Sequence, residues 1–358
     1  MKNFPIISIL IPIYNGMKFL EKTMRSIQEQ TFKNYEVICI DDNSTDNSYE
    51  YLLSLSKNDS RIKVLKRKAK GGNAAKGISY GLPFCKGKYF FYMSQDDFIS
   101  NDCLEKCLNR IEETGADICI PDMVFFYGDY ANNQILKALD NNYDQLISGE
   151  EAFFQCIIYK LSGFSLRNMK LVKKIGQDDK YFDSCDKSMA FQYYFANKVS
   201  FCDAKFFYRQ NNPNAITKLF TIQNLHHLDT CNEVLNFSIK KNIKYSYIKE
   251  FVNVFMIRRI DLFKKILFLE ENDYNEAIKI FNKSLKRMRI ILLKARHYKL
   301  YLDTISSPYI KNKIRVFLYT FLKKNNFTKN FLFKNISNKL EKKGFILTNN
   351  IADIYKKI

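Results

Sequence analysis

A doubly wound α/β domain with a mainly parallel sheet, followed by a helical region, is predicted by three observations. Four strand-length apolar runs alternate with amphipathic segments across the first hundred residues. Three of those runs end in polar clusters, at Pro12–Gly16, Asp41–Asp46 and Gln95–Asp97. From Leu219 onward the pattern changes to long helical periodicities. Strands separated by helices pair in parallel through right-handed crossovers, and such sheets bind ligands beyond the carboxyl ends of their strands.

Ile6–Ile11 is a continuous apolar run of the kind buried on both faces, broken by Pro12-Ile13-Tyr14-Asn15-Gly16. Lys18–Gln30 places Phe19, Leu20, Met24 and Ile27 on one helical face. Tyr35–Ile40 reads as the second strand, and the Ser, Thr and Asp residues of Asp41–Asp46 suit the cap of the next helix. Arg61–Leu65 is the third strand, Asn73–Leu82 a short helix and Lys88–Met93 the fourth strand. Beyond it, Asp122–Ser148 reads as an irregular acceptor-side loop region, Gly149–Lys160 as a helix, and Lys198–Asp203 and Lys205–Arg209 as two last strands. Helices are expected at Thr221–Lys241, Tyr245–Leu269, Asp273–Lys294, Pro308–Lys324 and Ile336–Lys343.

With 358 residues, 46% of them hydrophobic, the chain is long enough for two domains and can bury a sizeable core. The boundary is placed at 218/219, with a nucleotide-binding half over about 1–100 and an acceptor half over about 101–218. The net charge of +20 is uneven: +3 lies in Met1–Lys218 and +17 in Leu219–Ile358, so the strand-end motifs and the excess charge occupy different parts of the chain. The nine cysteines include no CxxC pair and read as buried free thiols of a reducing cytoplasm. Cys103 and Cys107 stand four apart on a predicted helix, but without a second pair or a nearby His they are assigned to the core. The first apolar segment is too short and too proline-broken for a secretory leader, and no apolar run reaches the length of a membrane-spanning helix.

Asp96 and Asp97, adjacent at a strand end, are costly unless a cation sits with them. Hard divalent ions prefer oxygen ligands and are commonly shared between carboxylates and substrate phosphates. A polar turn closing the strand is the plainer reading of the dipeptide taken alone. The sequences PIYNG at Pro12–Gly16, IDDNSTDNS at Ile40–Ser48, GKYFFYMSQDD at Gly87–Asp97 and YRQNNPNAIT at Tyr208–Thr217 together resemble the family 2 glycosyltransferases of the GT-A fold, of the bacterial surface-polysaccharide type. The resemblance covers roughly the first 220 residues.

That resemblance implies a transferase moving a sugar from a nucleotide-diphosphate donor, a UDP-sugar, to a glycan or lipid-linked acceptor with a divalent cation, Mn²⁺ or Mg²⁺. It implies that Pro12, Tyr14 and Asn15 surround the base and ribose, that Asp42 hydrogen-bonds the base, that Asp96 faces the nucleotide-sugar and that Asp97 ligates the metal. Ser94 stands where the family often has an acid, and Lys76-Gly77 where Arg-Asn is usual. Lys76 can still meet a diphosphate, as a point charge without the arginine fork. An inverting reaction needs a base for the acceptor hydroxyl. In the resemblance that position falls on Asp186, with Cys185 replacing the usual neighbouring Glu. Asp186 is equally readable as the N-cap of the following helix, and Asp178, Asp179 and Asp183 are nearby carboxylates. Arg209 and Thr217 are read either as diphosphate neighbours or as turn-stabilising residues.

Lys311–Lys343 interleaves Phe and Leu with Lys and Arg, a pattern suited to an anionic membrane surface. Nucleic acid is the rival partner, but no familiar nucleic-acid motif is present. The expected location is cytoplasmic, peripheral on the inner face of the membrane. The rival functions are a sugar-nucleotide pyrophosphorylase, which calls for a glycine-rich phosphate loop after the first strand, and an inactive nucleotide-binding scaffold.

Overall fold

The computed structural model describes residues 4–68, 73–181, 183–215, 218, 220–266 and 269–306. The predicted helices Pro308–Lys324 and Ile336–Lys343, the basic segment Lys311–Lys343 and Thr217 lie outside the described residues. The chain divides into two compact units, Met1–Leu219 and Phe220–Ile358.

The first unit runs β1 (Ile7–Ile13), α1 (Met17–Gln28), β2 (Tyr35–Asp41), α2 (Ser48–Asn58), β3 (Ile62–Lys66), α3 (Ala74–Gly81) and β4 (Tyr89–Tyr92). It continues with β5 (Phe98–Ile99), α4 (Cys103–Thr114), β6 (Ile118–Phe126), β7 (Gln134–Leu136), β8 (Ile147–Ser148) and α5 (Gly149–Ile157). Then come β9 (Leu166–Asn168), α6 (Met169–Ile175), α7 (Ser184–Tyr194) and β10 (Lys198–Arg209). All ten strands form one mixed sheet in the order β3-β2-β1-β4-β9-β6-β10-β5, with β7 on β6 and β8 on β10. The nucleotide-side half, β3-β2-β1-β4, is wholly parallel, whereas β9 pairs antiparallel with both β4 and β6.

Strand alternation explains the double winding. Ile9 and Ile11 of β1 join Leu20, Met24 and Ile27 of α1 and Cys107, Leu108 and Ile111 of α4 on one face. Leu10 of the same strand, with Ile38 and Ile40 of β2, meets Ile78 of α3, Val172 of α6 and Met189 of α7 on the other. Successive strand side chains point to opposite faces, so an uninterrupted apolar run is what a strand covered on both sides requires.

Two expectations are corrected. Asp122–Phe126 is not irregular; it continues β6, a nine-residue strand buried throughout. Lys198–Asp203 and Lys205–Arg209 are one strand, β10, whose pairing with β6 shifts register between Cys202 and Lys205. The shift falls beside Pro121 of β6, which has no N–H to offer the ladder. A bulge there supplies the break that the polar Asp203 signalled in sequence.

The amino-terminal edge of the sheet is fastened by Glu36 of β2, which is 3% exposed. Its carboxylate accepts hydrogen bonds from the Ser8 hydroxyl (2.7 Å), Lys63 Nζ (2.5 Å) and the Lys86 backbone N–H (2.6 Å). Ser8 Oγ in turn accepts from the Gly87 N–H, and a side chain on Gly87 would collide with the Ser8 backbone, its Cβ lying 2.5 Å from Ser8 N.

In the second unit a 3₁₀ turn (Ile222–Leu225) leads into α8 (His226–Lys240), α9 (Tyr245–Ile266), α10 (Glu271–Lys294) and α11 (Tyr298–Ser306). Its core carries a buried polar knot. The Arg259 guanidinium of α9 donates to Phe281 O (3.0 Å) and Ser284 Oγ (3.3 Å) of α10, and Asn232 Nδ2 of α8 donates to Ser284 Oγ (2.8 Å). Among the described residues no helix is long and apolar enough to cross a membrane.

Burial alone would raise the Glu36 carboxyl, but Lys63, the Lys86 N–H and Ser8 hold it below its ordinary value. Its contribution is therefore complete above the ordinary carboxylate pKa and fades as pH falls through the lower folded value. Glu36→Gln should destabilise the first unit by about 2 kcal/mol at neutral pH, the usual scale for charge-assisted hydrogen bonds. Urea unfolding at neutral pH and at low pH checks this: the difference between wild type and variant should shrink in acid, and a difference that does not change with pH contradicts it.

Candidate active site

The three polar clusters meet because β2, β1 and β4 are neighbours in the sheet. Gln95, just past β4, clamps the loop after β1 in both directions: Tyr14 N–H donates to Gln95 Oε1 (2.7 Å) and Gln95 Nε2 donates to Tyr14 O (3.0 Å). Asn15 takes a left-handed backbone (φ 48°) that aims its side chain at the loop after β2. There Asn15 Oδ1 accepts from Thr45 N (2.7 Å), while Asn15 N donates to Ser44 Oγ (3.1 Å). Gly16 N and Met17 N, at the start of α1, donate to Ser48 Oγ and Asp46 Oδ2. Tyr14, 49% exposed, is left projecting from this stitched rim.

Asp42 lies buried beyond the end of β2. Its Oδ1 is 3.2 Å from Arg67 Nε, and neither carboxylate oxygen accepts a hydrogen bond of good geometry. Arg67, itself buried, follows β3 and donates its backbone N–H to Asp41 O. On α3 the Lys76 side chain is exposed, and its backbone N–H is capped by Asn73 Oδ1 (2.8 Å). A Cβ on Gly77 would lie 2.7 Å from Pro12 Cβ, so the glycine lets α3 close on the end of β1.

Asp96 and Asp97 differ sharply. Asp97 is 1% exposed; Oδ1 accepts from Arg209 N (2.9 Å) and Oδ2 has no hydrogen-bond partner. Burial first, then the Asp96 charge, pushes its carboxyl well above the ordinary range, against the opposing pull of the Arg209 N–H and the Ser94 hydroxyl. Asp96 is only partly buried, and its Oδ2 accepts from Asn212 Nδ2 (2.7 Å). Arg209 Nε donates to Asp96 O (2.6 Å), and the guanidinium packs 4.5 Å from the Phe19 ring centroid. Ser94, at the position of the absent acid, pairs its hydroxyl with Tyr92 (3.2 Å).

Across Tyr92 lies the start of α7. Asp183, not Asp186, occupies the N-cap position, and the exposed Asp186 sits in the first helical turn with its N–H donating to Asp183 O (3.1 Å). The Tyr92 phenol is raised well above its ordinary value by burial first and then by Cys185, with Asp97 and Asp186 adding to the rise. Asp178 is held by Lys187 (2.5 Å), which keeps that carboxyl low although burial acts the other way. The α7 wall is anchored by the buried Arg167, which donates to Met189 O, Gln192 Oε1 and Gly163 O.

Residues 8–176 match the family model described as Glycosyl transferase family 2. The chain is 29% identical over 236 residues to glycosyltransferase GlyG of Streptococcus pneumoniae, covering 61% of this chain and 75% of that protein. The fold matches the crystal structure of S. aureus TarS 1–349 in complex with UDP-GlcNAc with a TM-score of 0.63 at 17% identity, covering 86% of this chain and 92% of that chain. Residues 8–176 form a family 2 glycosyltransferase domain, and the first unit has the GT-A fold. A 26% identical match to chondroitin synthase of Escherichia coli covers 69% of this chain and 35% of that protein.

Of the residues singled out in the sequence of this glycosyltransferase, Pro12, Tyr14, Asn15, Asp42, Asp96 and Asp97 gather along one sheet edge, with Lys76 on α3 above Pro12 and Asp186 on the α7 wall. Asn15 spends its side chain bridging two loops, and Arg209 holds the acidic pair. Sequence reasoning missed Gln95 as the clamp, Arg67 as the partner of Asp42 and Asn212 as the partner of Asp96. Arg67 stands between Lys66 and Lys68, so nothing local singled it out.

Proposed function

We propose that this glycosyltransferase takes its sugar from a nucleoside diphosphate, UDP, and inverts the anomeric centre with Asp186 as the base. The observation that carries this reading is the stitched rim: one edge of the sheet presents an acceptor-only carboxylate, Asp42, and a pair of carboxylates, Asp96 and Asp97, while Asp186 faces it from α7. A buried carboxylate braced by Arg67 suits the imide N–H of uracil, which is a donor. TarS was solved with UDP-GlcNAc, which agrees with such a donor. The surface-polysaccharide setting is supported by a match, 31% identical over 116 residues, to the poly(ribitol-phosphate) beta-glucosyltransferase of Bacillus spizizenii, and the acceptor is taken to be a glycan or lipid-linked glycan.

The acidic pair fits a divalent cation, because two carboxylates stand side by side and Asp97 Oδ2 is buried without a hydrogen-bond partner. Such an ion, Mn²⁺ or Mg²⁺, would neutralise charge growing on the departing diphosphate. Asp97, whose Oδ2 has no hydrogen-bond partner, would ligate it, and the less buried Asp96 faces the nucleotide-sugar. Tyr14 and Asn15 orient the nucleoside rim, Lys76 meets the diphosphate from α3, and Asp186 receives the proton of the acceptor hydroxyl as it attacks.

Asp186→Asn should lower turnover by roughly 10²–10⁴ with UDP affinity nearly unchanged, the scale of general base catalysis. Asp96→Asn should remove metal-dependent donor hydrolysis without a change in melting temperature, whereas Asp97→Asn should also lower the melting temperature. Full activity in excess EDTA would remove the cation. Loss of turnover in Asp183→Asn but not in Asp186→Asn would move the base one turn back.

The second unit supports peripheral attachment to an anionic membrane. Exposed Lys279, Lys283, Lys286, Ile290 and Leu293 follow the helical repeat along α10, so a basic stripe runs into an apolar end. Each such lysine gains about 1 kcal/mol near an anionic surface. Wild type should sediment with anionic vesicles at low salt and be released at high salt. The triple change Lys279, Lys283 and Lys286→Glu should abolish this, and equal binding to neutral vesicles would contradict it.

A further inference from the structure

Three of the nine cysteines converge at a place the sugar chemistry does not use. Cys107 of α4, Cys119 of β6 and Cys202 of β10 bring their sulfur atoms all within 4.8 Å of one another, and Cys107 Sγ lies 3.5 Å from Cys202 Sγ. All three thiols are free and buried. Cys202 precedes Arg209 by seven strand residues, roughly 20 Å along β10, so the cluster is remote from the acidic pair.

We propose that Cys107, Cys119 and Cys202 form a binding site for a thiophilic d¹⁰ cation of the Zn²⁺ class. Zinc–thiolate bonds of about 2.3 Å place neighbouring sulfurs about 3.8 Å apart, so the trio needs only small side-chain adjustments to close on an ion. A cavity of about 290 Å³, lined by Cys202 together with Lys106, Arg110, Glu113, Tyr143, Asp144 and Asp203, supplies an entry path whose carboxylates would attract a cation. The register shift in β10 begins directly after Cys202, so the strand is already irregular where the sulfur sits. As the ion enters, up to three sulfur–metal bonds form, and each thiol that binds releases its proton to solvent.

Cd²⁺, titrated into the reduced full-length protein, is the probe, because cadmium–thiolate bonds give an ultraviolet charge-transfer band that carboxylate sites do not. The expected result is a band saturating at one equivalent, a raised melting temperature, and competition by Zn²⁺. Cys202→Ala and Cys107→Ala should each weaken binding by about 10–100-fold. Cys85→Ala, outside the trio, and Asp96→Asn should keep the band. A wild-type protein without a saturable band overturns the proposal whether or not the variants fold, and so does a band of equal strength in Cys202→Ala.

Discussion

The two hydrogen bonds between Gln95 and the Tyr14 backbone are the constraint on which the site depends. β1 and β4 are hydrogen-bonded neighbours, so their ends arrive about 4.8 Å apart, but nothing in strand pairing fixes where the loops go next. Gln95 fixes the first loop to the end of β4, and Asn15 fixes the same loop to the turn after β2. A Cβ on Gly16 would lie 2.5 Å from Gln95 Oε1, so the glycine leaves the room in which the clamp sits. Asp42 and Asp96 thereby share one rim although 54 residues of chain separate them.

That rim concentrates negative charge, and the rest of the unit is arranged to tolerate it. Arg67 pairs with Asp42, Arg209 bonds both residues of the acidic pair, and Asn212 donates to Asp96. Ser94 places a neutral hydroxyl where a third carboxylate would crowd Asp97. At the opposite edge Glu36 ties β1, β3 and the turn before β4 through one buried carboxylate. Cores on both faces hold the sheet between these two polar edges.

The nucleotide-side half was legible because β1, β2 and β4 are covered on both faces and read as apolar runs, as in Tyr35–Asp41, buried throughout. Its loops were legible as clusters, and topology alone put them on one edge. Partnerships across long sequence distances were not legible: Gln95 with Tyr14, Arg67 with Asp42 and Asn212 with Asp96 are tertiary facts with no periodic signature. Likewise, Asp122–Phe126 carries the polar marks of a loop because Asp122 is buried against the Tyr143 hydroxyl, a contact 21 residues away. Cys103 and Cys107 showed ligand spacing on one helix, yet the two thiols that complete the trio with Cys107 come from β6 and β10.

Calorimetric titration of UDP with Mn²⁺ into wild type and Gln95→Ala, paired with their melting curves, tests the stitched rim most directly. Loss of two hydrogen bonds of about 1 kcal/mol each should weaken UDP binding by ~10-fold or more, while the melting temperature falls only a few degrees. Unchanged UDP affinity in Gln95→Ala would show that the rim does not depend on this clamp and would contradict the account.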